Sequence, residues 1–490
     1  MTPRAPRLTE LLGLLLFAAL VRWGLALVSP NLFWPDEVYQ TLEPAHRLAF
    51  GSGLESFEWR IGLRSYVVPG LLSAVMAVTA PFGAGSSGYV AGAAAAMVLL
   101  SLWPIVAAVR IALRAHGATA ALFAAVLAAT WFDLVYFAPK ALTEVVAGHL
   151  LVPALALGLA AAPDDRRRLG AAAMLLGLVA AIRPHLAPGV AVAWLWFVAK
   201  APRQRWLVAL LASLLPVVAF GLVDWWTHGK PFASLLVNLT FNVGEGRSLD
   251  YGWLPKYHYA VYLWHTWTPP VAIGFGVLWC CSLRKAPLPA AVALAILGAH
   301  SLLGHKEYRF VYPAIPLLLV GIAVGAAVVV ERLRAAWQRP ALLATVAVFL
   351  AATLFAGLDF HRAKTPTGLG DRRQATSHWS AFGDGLQAMR DLSQRDDVRG
   401  VAVTGIEWQY CGGYTWLHHA VPLYFVDLPE TPKPVWPHVN YLLAKGQAQP
   451  DPEGFVEVAR HGTVRVLRRD GDVVVRPGYD INQVLVARKE

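Results

Sequence analysis

Apolar runs of up to about twenty residues recur along most of this chain, with short basic clusters between many of them. The runs cover residues 8–28, 66–82, 89–109, 118–138, 146–162, 169–183, 186–199, 206–223, 260–281, 287–303, 308–330 and 341–358. In lipid a backbone must satisfy its own polar groups, so such runs read as helices, with ~20 residues crossing ~30 Å of hydrocarbon. The chain is 57% hydrophobic and only 15% charged, against about 25% charged in an ordinary soluble domain. A polytopic α-helical membrane protein follows. Its formal charge of +11 does not point to nucleic acid, because the basic residues lie between apolar runs and base-reading or stacking motifs are missing. Three cysteines make neither a disulfide framework nor a zinc-type spacing. The first segment is expected to be a retained helix rather than a cleaved signal peptide.

The basic clusters orient the chain. Arg4 with Arg7, Arg110 with Arg114, Arg166–Arg168, Lys200 with Arg203 and Arg205, Arg284 with Lys285, and Arg332 with Arg334 and Arg339 all belong in the cytoplasm by the positive-inside rule. If every run crossed, the Arg110 and Arg166 clusters would fall outside. Treating 66–82 as a non-crossing interfacial helix, suggested by Pro69-Gly70 and a Gly/Ser-rich end, puts every cluster inside. The expectation is about eleven spans, N-terminus in and C-terminus out. The loops at 29–65 and 224–258, the region of Lys140 and the segment 305–309 then share the outer face. Residues 1–358 form the membrane domain, including a first outer loop with interfacial helices at 29–82. Residues 359–490 carry charges, prolines and the strand-like runs VRGVAVTG, VPLYFVD, VNYLLAK and FVEVARHGTVRVLRR, which predict a small non-cytoplasmic α/β domain.

Polar chemistry concentrates in these outer segments. WPDEVYQTLEPAHRLAFGSGLESFEWRIGLRSYVVP at 34–69 contains Asp36, Glu37, Glu43, His46 and Arg64. A carboxylate held at a membrane boundary is partly desolvated, which makes it a better base; Asp36 as a helix cap in a solvated acidic loop is the plainer alternative. Glu43–Arg47 reads as a short amphipathic helix with Leu42, Ala45 and Leu48 towards lipid. Several carboxylates leave a metal site open, although their spacing matches no metal loop. In GHKEYRFVYPAIPLL, at 304–318, His305, Lys306, Glu307 and Arg309 stand at a span end. Charges there mark either a site or an ion pair, and Lys306 and Arg309 suit a phosphate. Lys140 and Glu144 are four apart at another outer end, as a salt bridge or a substrate contact. Arg183 either meets phosphate or snorkels. The aromatic residues of 224–258 read mainly as interfacial anchors.

The run PDEVYQTLEPAHRLAFGSGLESFEWRIGLRSYVVPGL resembles the first outer loop of the glycosyltransferase family containing the GPI-anchor and asparagine-linked-glycan mannosyltransferases. It keeps Pro-Asp-Glu, the following Gln and Glu, a Gly-rich turn and Arg64-Ser65. Phe57-Glu58-Trp59 stands in for the family's Trp-Glu-Trp-like element. HKEYRFVYPAIPL is similar to the family's His-Lys-Glu-x-Arg-Phe signature, whereas Lys140 and Glu144 depart from its Arg-Thr-Leu-Thr-like element. The resemblance covers about residues 1–360. It implies a GT-C-type fold and an inverting transfer of a sugar, usually mannose, from a polyprenyl-phosphate donor to a glycolipid or glycan acceptor. Asp36, assisted by Glu37, is then the base, and Lys306 and Arg309, with Arg183, hold the donor phosphate. Glu43, His46, Arg64, Lys140, Glu144, His305 and Glu307 bind or orient substrate. Neither a metal nor another cofactor is implied. The rival class is a transporter or flippase of lipid-linked glycans, which places ionisable groups near the midplane of repeated halves; no repeat is visible here. An Ala- and Arg-rich composition points to a bacterial inner membrane rather than an endoplasmic reticulum.

Overall fold

The computed structural model describes residues 7–487 apart from 163, 200–201, 362–376, 447–450, 475, 477–478 and 480. Arg4, Lys200 and the stretch 362–376 next to the expected domain boundary lie outside the described residues. The chain divides into two compact units, Met1–Gly24 with Met97–Ser377, and Leu25–Ala96 with His378–Glu490.

Among the described residues, six helices are long and apolar enough to cross a membrane: Leu8–Val28, Ser87–Thr130, Thr143–Ala160, Trp206–His228, Tyr308–Glu331 and Ala335–Leu358. The 44 residues of Ser87–Thr130 would reach roughly twice the ~30 Å hydrocarbon thickness as one rod. They are broken at His116-Gly117, where Gly117 has φ +77°, a conformation cheap only without a Cβ. The break follows Arg110 and Arg114, where a turn between two spans was expected. Other expected spans are shorter. The run at 260–281 divides into His258–Thr266 and Pro269–Ser282, with Thr268 at φ +66° between them. Pro269 and Pro270 lack the N–H groups that a continuous helix needs.

The first unit is centred on Ile315–Glu331, buried along nearly its whole length. It packs on Leu102–Thr130 and Pro269–Ser282. Its Gly321-Ile-Ala-Val-Gly325 spacing allows the backbones to meet: a Cβ on Gly325 would fall 1.7 Å from the Leu278 carbonyl oxygen. Close approach through small residues is how helices associate where lipid removes the hydrophobic drive. Trp206–His228 and Ala335–His361 instead expose leucines such as Leu207, Leu211, Leu215, Leu343, Leu354 and Leu358, the surface a bilayer covers. Arg22, inside Leu8–Val28, turns inward. Its guanidinium donates to the Ser101 carbonyl (3.0 Å), Ser101 Oγ (2.8 Å) and the Ala128 carbonyl (2.6 Å), which offsets the cost of a charge at that depth.

In the second unit the four strand-like runs form strands. β1 is Val401–Thr404, β2 Leu423–Phe425, β3 Tyr441–Lys445, β4 Phe455–His461 and β5 Val464–Arg469. Their order is β2-β1-β3-β5-β4. β1 runs parallel to β2 and β3, while β5 is antiparallel to β3 and β4. Ala402, Tyr424, Leu442 and Leu467 share one core with Val439 and Phe455. A parallel pair needs a crossover, so β1 and β2 are joined by residues 405–422, which contain the short helix Gly413–Leu417. The same unit holds the helices of the first outer loop. Val67–Thr79 has 13 residues, about 20 Å of helix and short of a bilayer crossing. It packs on Glu43–Phe50.

Candidate functional site

In the second unit, Asp36 and Glu37 begin a helical segment that continues to Phe50, with the wider π pattern over Val38–Leu42 and α-helix over Glu43–Phe50. Pro44 accounts for the widening, because its ring cannot sit against the carbonyl four residues back. Such π-bulges often occur at functional sites. Gly51 ends the helix at φ +83°. Asp36 and Glu37 are half-buried. Gln40 Nε2 donates to Asp36 Oδ1 and also, at 3.3 Å, to Glu58 Oε1. Arg64 donates to the same Glu58 oxygen at 2.6 Å. Asp36, Gln40, Glu58 and Arg64 thus form one polar string.

Glu43 and His46 contradict the expected orientation of their helix. Leu42 and Ala45 are buried in protein rather than turned to lipid, Glu43 and His46 are wholly buried, and Leu48 is exposed along with Arg47. The reason lies in hydrogen bonding. Glu43 accepts main-chain N–H groups from Leu54 (2.5 Å) and Thr415 (2.6 Å), and His46 Nδ1 donates to the Ser52 carbonyl at 2.6 Å. Burial pushes the Glu43 carboxyl up to about 7, with the main-chain N–H groups pulling the other way. Burial lowers His46 to about 4, so its ring is neutral. With Nδ1 carrying the proton, Nε2 accepts from His418 Nδ1 at 3.2 Å.

The first unit gathers five other expected residues. Arg183 donates to Glu144 Oε1 at 2.6 Å and Arg309 to the same oxygen at 3.1 Å. Arg309 also bonds both oxygens of Glu307, at 2.7 and 3.2 Å, and His305 lies 3.1 Å from Glu307. Burial alone would raise the Glu307 carboxyl, but Arg309 and His305 outweigh it and hold it well below the usual range. Arg183 is nearly buried and does not snorkel. The helix after Lys140 starts only at Thr143, so Lys140 and Glu144 do not share a helical face. Lys140 is buried with its ammonium 5.5 Å from the centre of the Tyr136 ring. Lys306 is buried as well, and its ammonium donates to the Leu254 and Leu303 carbonyls.

The expected loop at 224–258 starts later, since Trp206–His228 continues through Trp225 and Trp226, both exposed. Asp224 on that helix accepts from the Ser234 amide and hydroxyl at 2.9 and 2.6 Å.

Sequence reasoning missed Asp133. This wholly buried carboxylate accepts from Trp131 Nε1 (3.0 Å), Trp267 Nε1 (2.8 Å) and Tyr308 OH (2.9 Å), all at Oδ2. An acid inside an apolar run is itself a signal. Its partner Tyr308 lies in the His305–Arg309 segment. Among the described residues no three His, Cys, Asp or Glu side chains converge as metal ligands.

The model of the Alg9-like mannosyltransferase family matches residues 13–372. The chain belongs to the Alg9-like mannosyltransferase family. It is similar to GPI mannosyltransferase 3 of Yarrowia lipolytica, 29% identical over 324 residues that make up 63% of this chain and 61% of the relative. It is also similar to mouse GPI alpha-1,2-mannosyltransferase 3, 29% identical over 342 residues, or 65% and 59% of the two chains. The matches therefore span about three-fifths of these curated relatives' length. Among solved structures, ArnT from Cupriavidus metallidurans bound to undecaprenyl phosphate has the same fold. It superposes with a TM-score of 0.62 at 15% identity, covering 96% of this chain and 100% of ArnT. This family member is accordingly a multi-pass membrane protein with a GT-C-type fold and a small C-terminal sheet.

Proposed function

We propose that this Alg9-family chain transfers mannose, with inversion, from a polyprenyl-phosphate donor to a hydroxyl of a glycolipid or glycan, at the non-cytoplasmic face of a bacterial cell membrane. The observation that carries the reading is that Arg183 and Arg309 bond one oxygen of Glu144. Glu144 thereby holds two guanidinium groups side by side, with Glu307 as a second carboxylate on Arg309, and two adjacent planar forks suit an anion offering several acceptor oxygens. ArnT, which shares the fold, has been solved with undecaprenyl phosphate bound; family membership favours mannose.

The acceptor oxygen attacks the anomeric carbon as the bond from that carbon to phosphate oxygen breaks. The acceptor proton passes to Asp36, assisted by Glu37, and polyprenyl phosphate leaves. Charge grows on the departing phosphate, where Arg183, Arg309 and Lys306 lower the barrier by being oriented in advance. His305 and Glu307 orient Arg309. Gln40, held between Asp36 and Glu58, keeps the base in one rotamer.

Transfer from polyprenyl-phosphate-mannose to a panel of membrane glycolipids tests the reading. Asp36→Asn is expected to lose about 10²- to 10⁴-fold in rate, the usual worth of a general base, with donor binding retained. Arg309→Ala is expected to weaken donor binding. Undiminished transfer by Asp36→Asn removes Asp36 from the base role. Energy-independent movement of lipid-linked sugar without transfer replaces the enzyme reading with a flippase.

A further inference from the structure

The helical segment 36–50 has a second face that the transfer step does not use. Tyr39, Glu43, His46 and Phe50 recur at spacings of four, three and four, as one helical stripe does. All four meet the crossover between β1 and β2. Tyr39 OH donates to the Trp408 carbonyl at 2.6 Å. Glu43 Oε1 accepts the Thr415 amide at 2.6 Å. His46 bonds His418 at 3.2 Å, and the Phe50 ring stands edge-on to His418, 4.9 Å between centres. Gln40, four residues after Asp36, instead bonds Asp36 and Glu58.

The fit around Glu43 is closest. Gly413 has φ +59°, and a Cβ there would lie 2.6 Å from Glu43 Oε1. The other carboxylate oxygen takes the Leu54 amide, so Glu43 ties its own helix, the turn after it and the crossover together. Removing the carboxylate leaves buried N–H groups without their acceptor, which costs more than the bond is worth when made.

We propose that residues 408–418 are a positioning platform for the helix that carries Asp36, with Glu43 as the positioning residue joining the two. The C-terminal domain thus acts on the chemistry by holding the base in place. The reactive consequence rests on Asp36 being the base; the mechanical coupling does not.

The test compares Glu43→Ala, Gly413→Ala and the double variant in the full-length protein, by amide hydrogen exchange and by mannosyl transfer. Each single variant should speed exchange across 36–50, although Gly413→Ala changes nothing within that helix. Each should lower kcat by roughly 10- to 100-fold, the effect of displacing a reacting group by about 1 Å. KM for the donor should move less than about threefold, since ground-state binding is untouched. The double variant should be no slower than the slower single variant, because both break one coupling. Glu43→Gln, which keeps an acceptor oxygen, should recover part of the rate. Should Gly413→Ala fail to fold, Tyr39→Phe, which deletes the hydroxyl contacts with the Trp408 carbonyl and Cys411 Sγ on the crossover, takes its place. Unchanged exchange over 36–50, rate losses that multiply, or a raised donor KM at unchanged kcat each overturn the proposal. If exchange responds as expected while the parent transfers no sugar, the platform stands and the reading of Asp36 as base falls.

Discussion

Glu43 and His46 lie three residues apart on one helix, and burial displaces them in opposite directions. Glu43 rises from 4.5 to about 7 and His46 falls from 6.5 to about 4. Between pH 4.5 and 7 the folded chain keeps the Glu43 proton that the unfolded chain has released. That contribution to stability is present below about 4.5 and lost as pH rises through 7. Between 6.5 and 4 the unfolded chain takes up a His46 proton that the folded chain refuses. That contribution is present above 6.5 and lost as pH falls through 4. In the parent the two nearly offset each other. His46→Gln should therefore lose stability as pH rises from 4.5 to 7, and Glu43→Gln as it falls from 6.5 to 4. Hydrogen exchange at residues 413–418 against pH checks both; slopes of the same sign in the two variants refute the pairing. The expectation that Leu42 and Ala45 face lipid failed for a related reason. Two buried polar groups with main-chain partners outweigh a weak apolar stripe.

The elements divide by what surrounds them. Ile315–Glu331 is all but enclosed; its Gly325 meets the backbone of Pro269–Ser282 at Leu278, and its Gly321 meets the Trp279 and Ser282 side chains. Gly298, in Pro287–Leu302, has nothing within 4 Å of where its Cβ would be. The same replacement should therefore act oppositely at the two sites. Gly325→Ala forces two helices apart and should destabilise by about 1–3 kcal/mol, as overpacking does. Gly298→Ala should be neutral or stabilising by up to about 1 kcal/mol, from helix propensity alone. Unfolding in detergent of the two single variants distinguishes them, and equal shifts would show that backbone contact is not what selects glycine at 325. Breaks inside elements were less legible than the elements. His116-Gly117 lies between two runs that the sequence separates, whereas the break at Trp267-Thr268 falls inside one that looked continuous.

For the whole molecule, the basic clusters carry the orientation. The loop after Thr143–Ala160 precedes Arg166–Arg168, and the segment after Trp206–His228 contains Arg247; Asp164 and Arg247 are both exposed. With Cys280, Cys281 and Cys411 replaced, a membrane-impermeant maleimide should label Arg247→Cys in intact cells and leave Asp164→Cys unlabelled until the cells are opened. Labelling with the reverse pattern would invert the proposed topology. Hydropathy, basic punctuation and the alternation in the last 130 or so residues are local properties, and the membrane helices and all four strand-bearing runs were readable from them. The signatures around Asp36 and His305–Arg309 were readable too, as residue types in order.

Partners were not readable. For Glu144 the neighbour considered was Lys140, four residues back, while the guanidinium groups of Arg183 and Arg309 that reach it come from 39 and 165 residues away. Glu43 takes its bond from Thr415, 372 residues away. A carboxylate's sequence neighbours say which charges it can reach without cost; burial decides which it must reach, since an ionised group removed from water needs compensation wherever the fold supplies it. So the membrane class, the strands and the chemistry-bearing segments belong to the order of residues alone. The joining of the Glu144 cluster and the seating of the Asp36 helix on residues 408–418 belong to the tertiary structure, because both depend on groups that become neighbours only once the chain has folded.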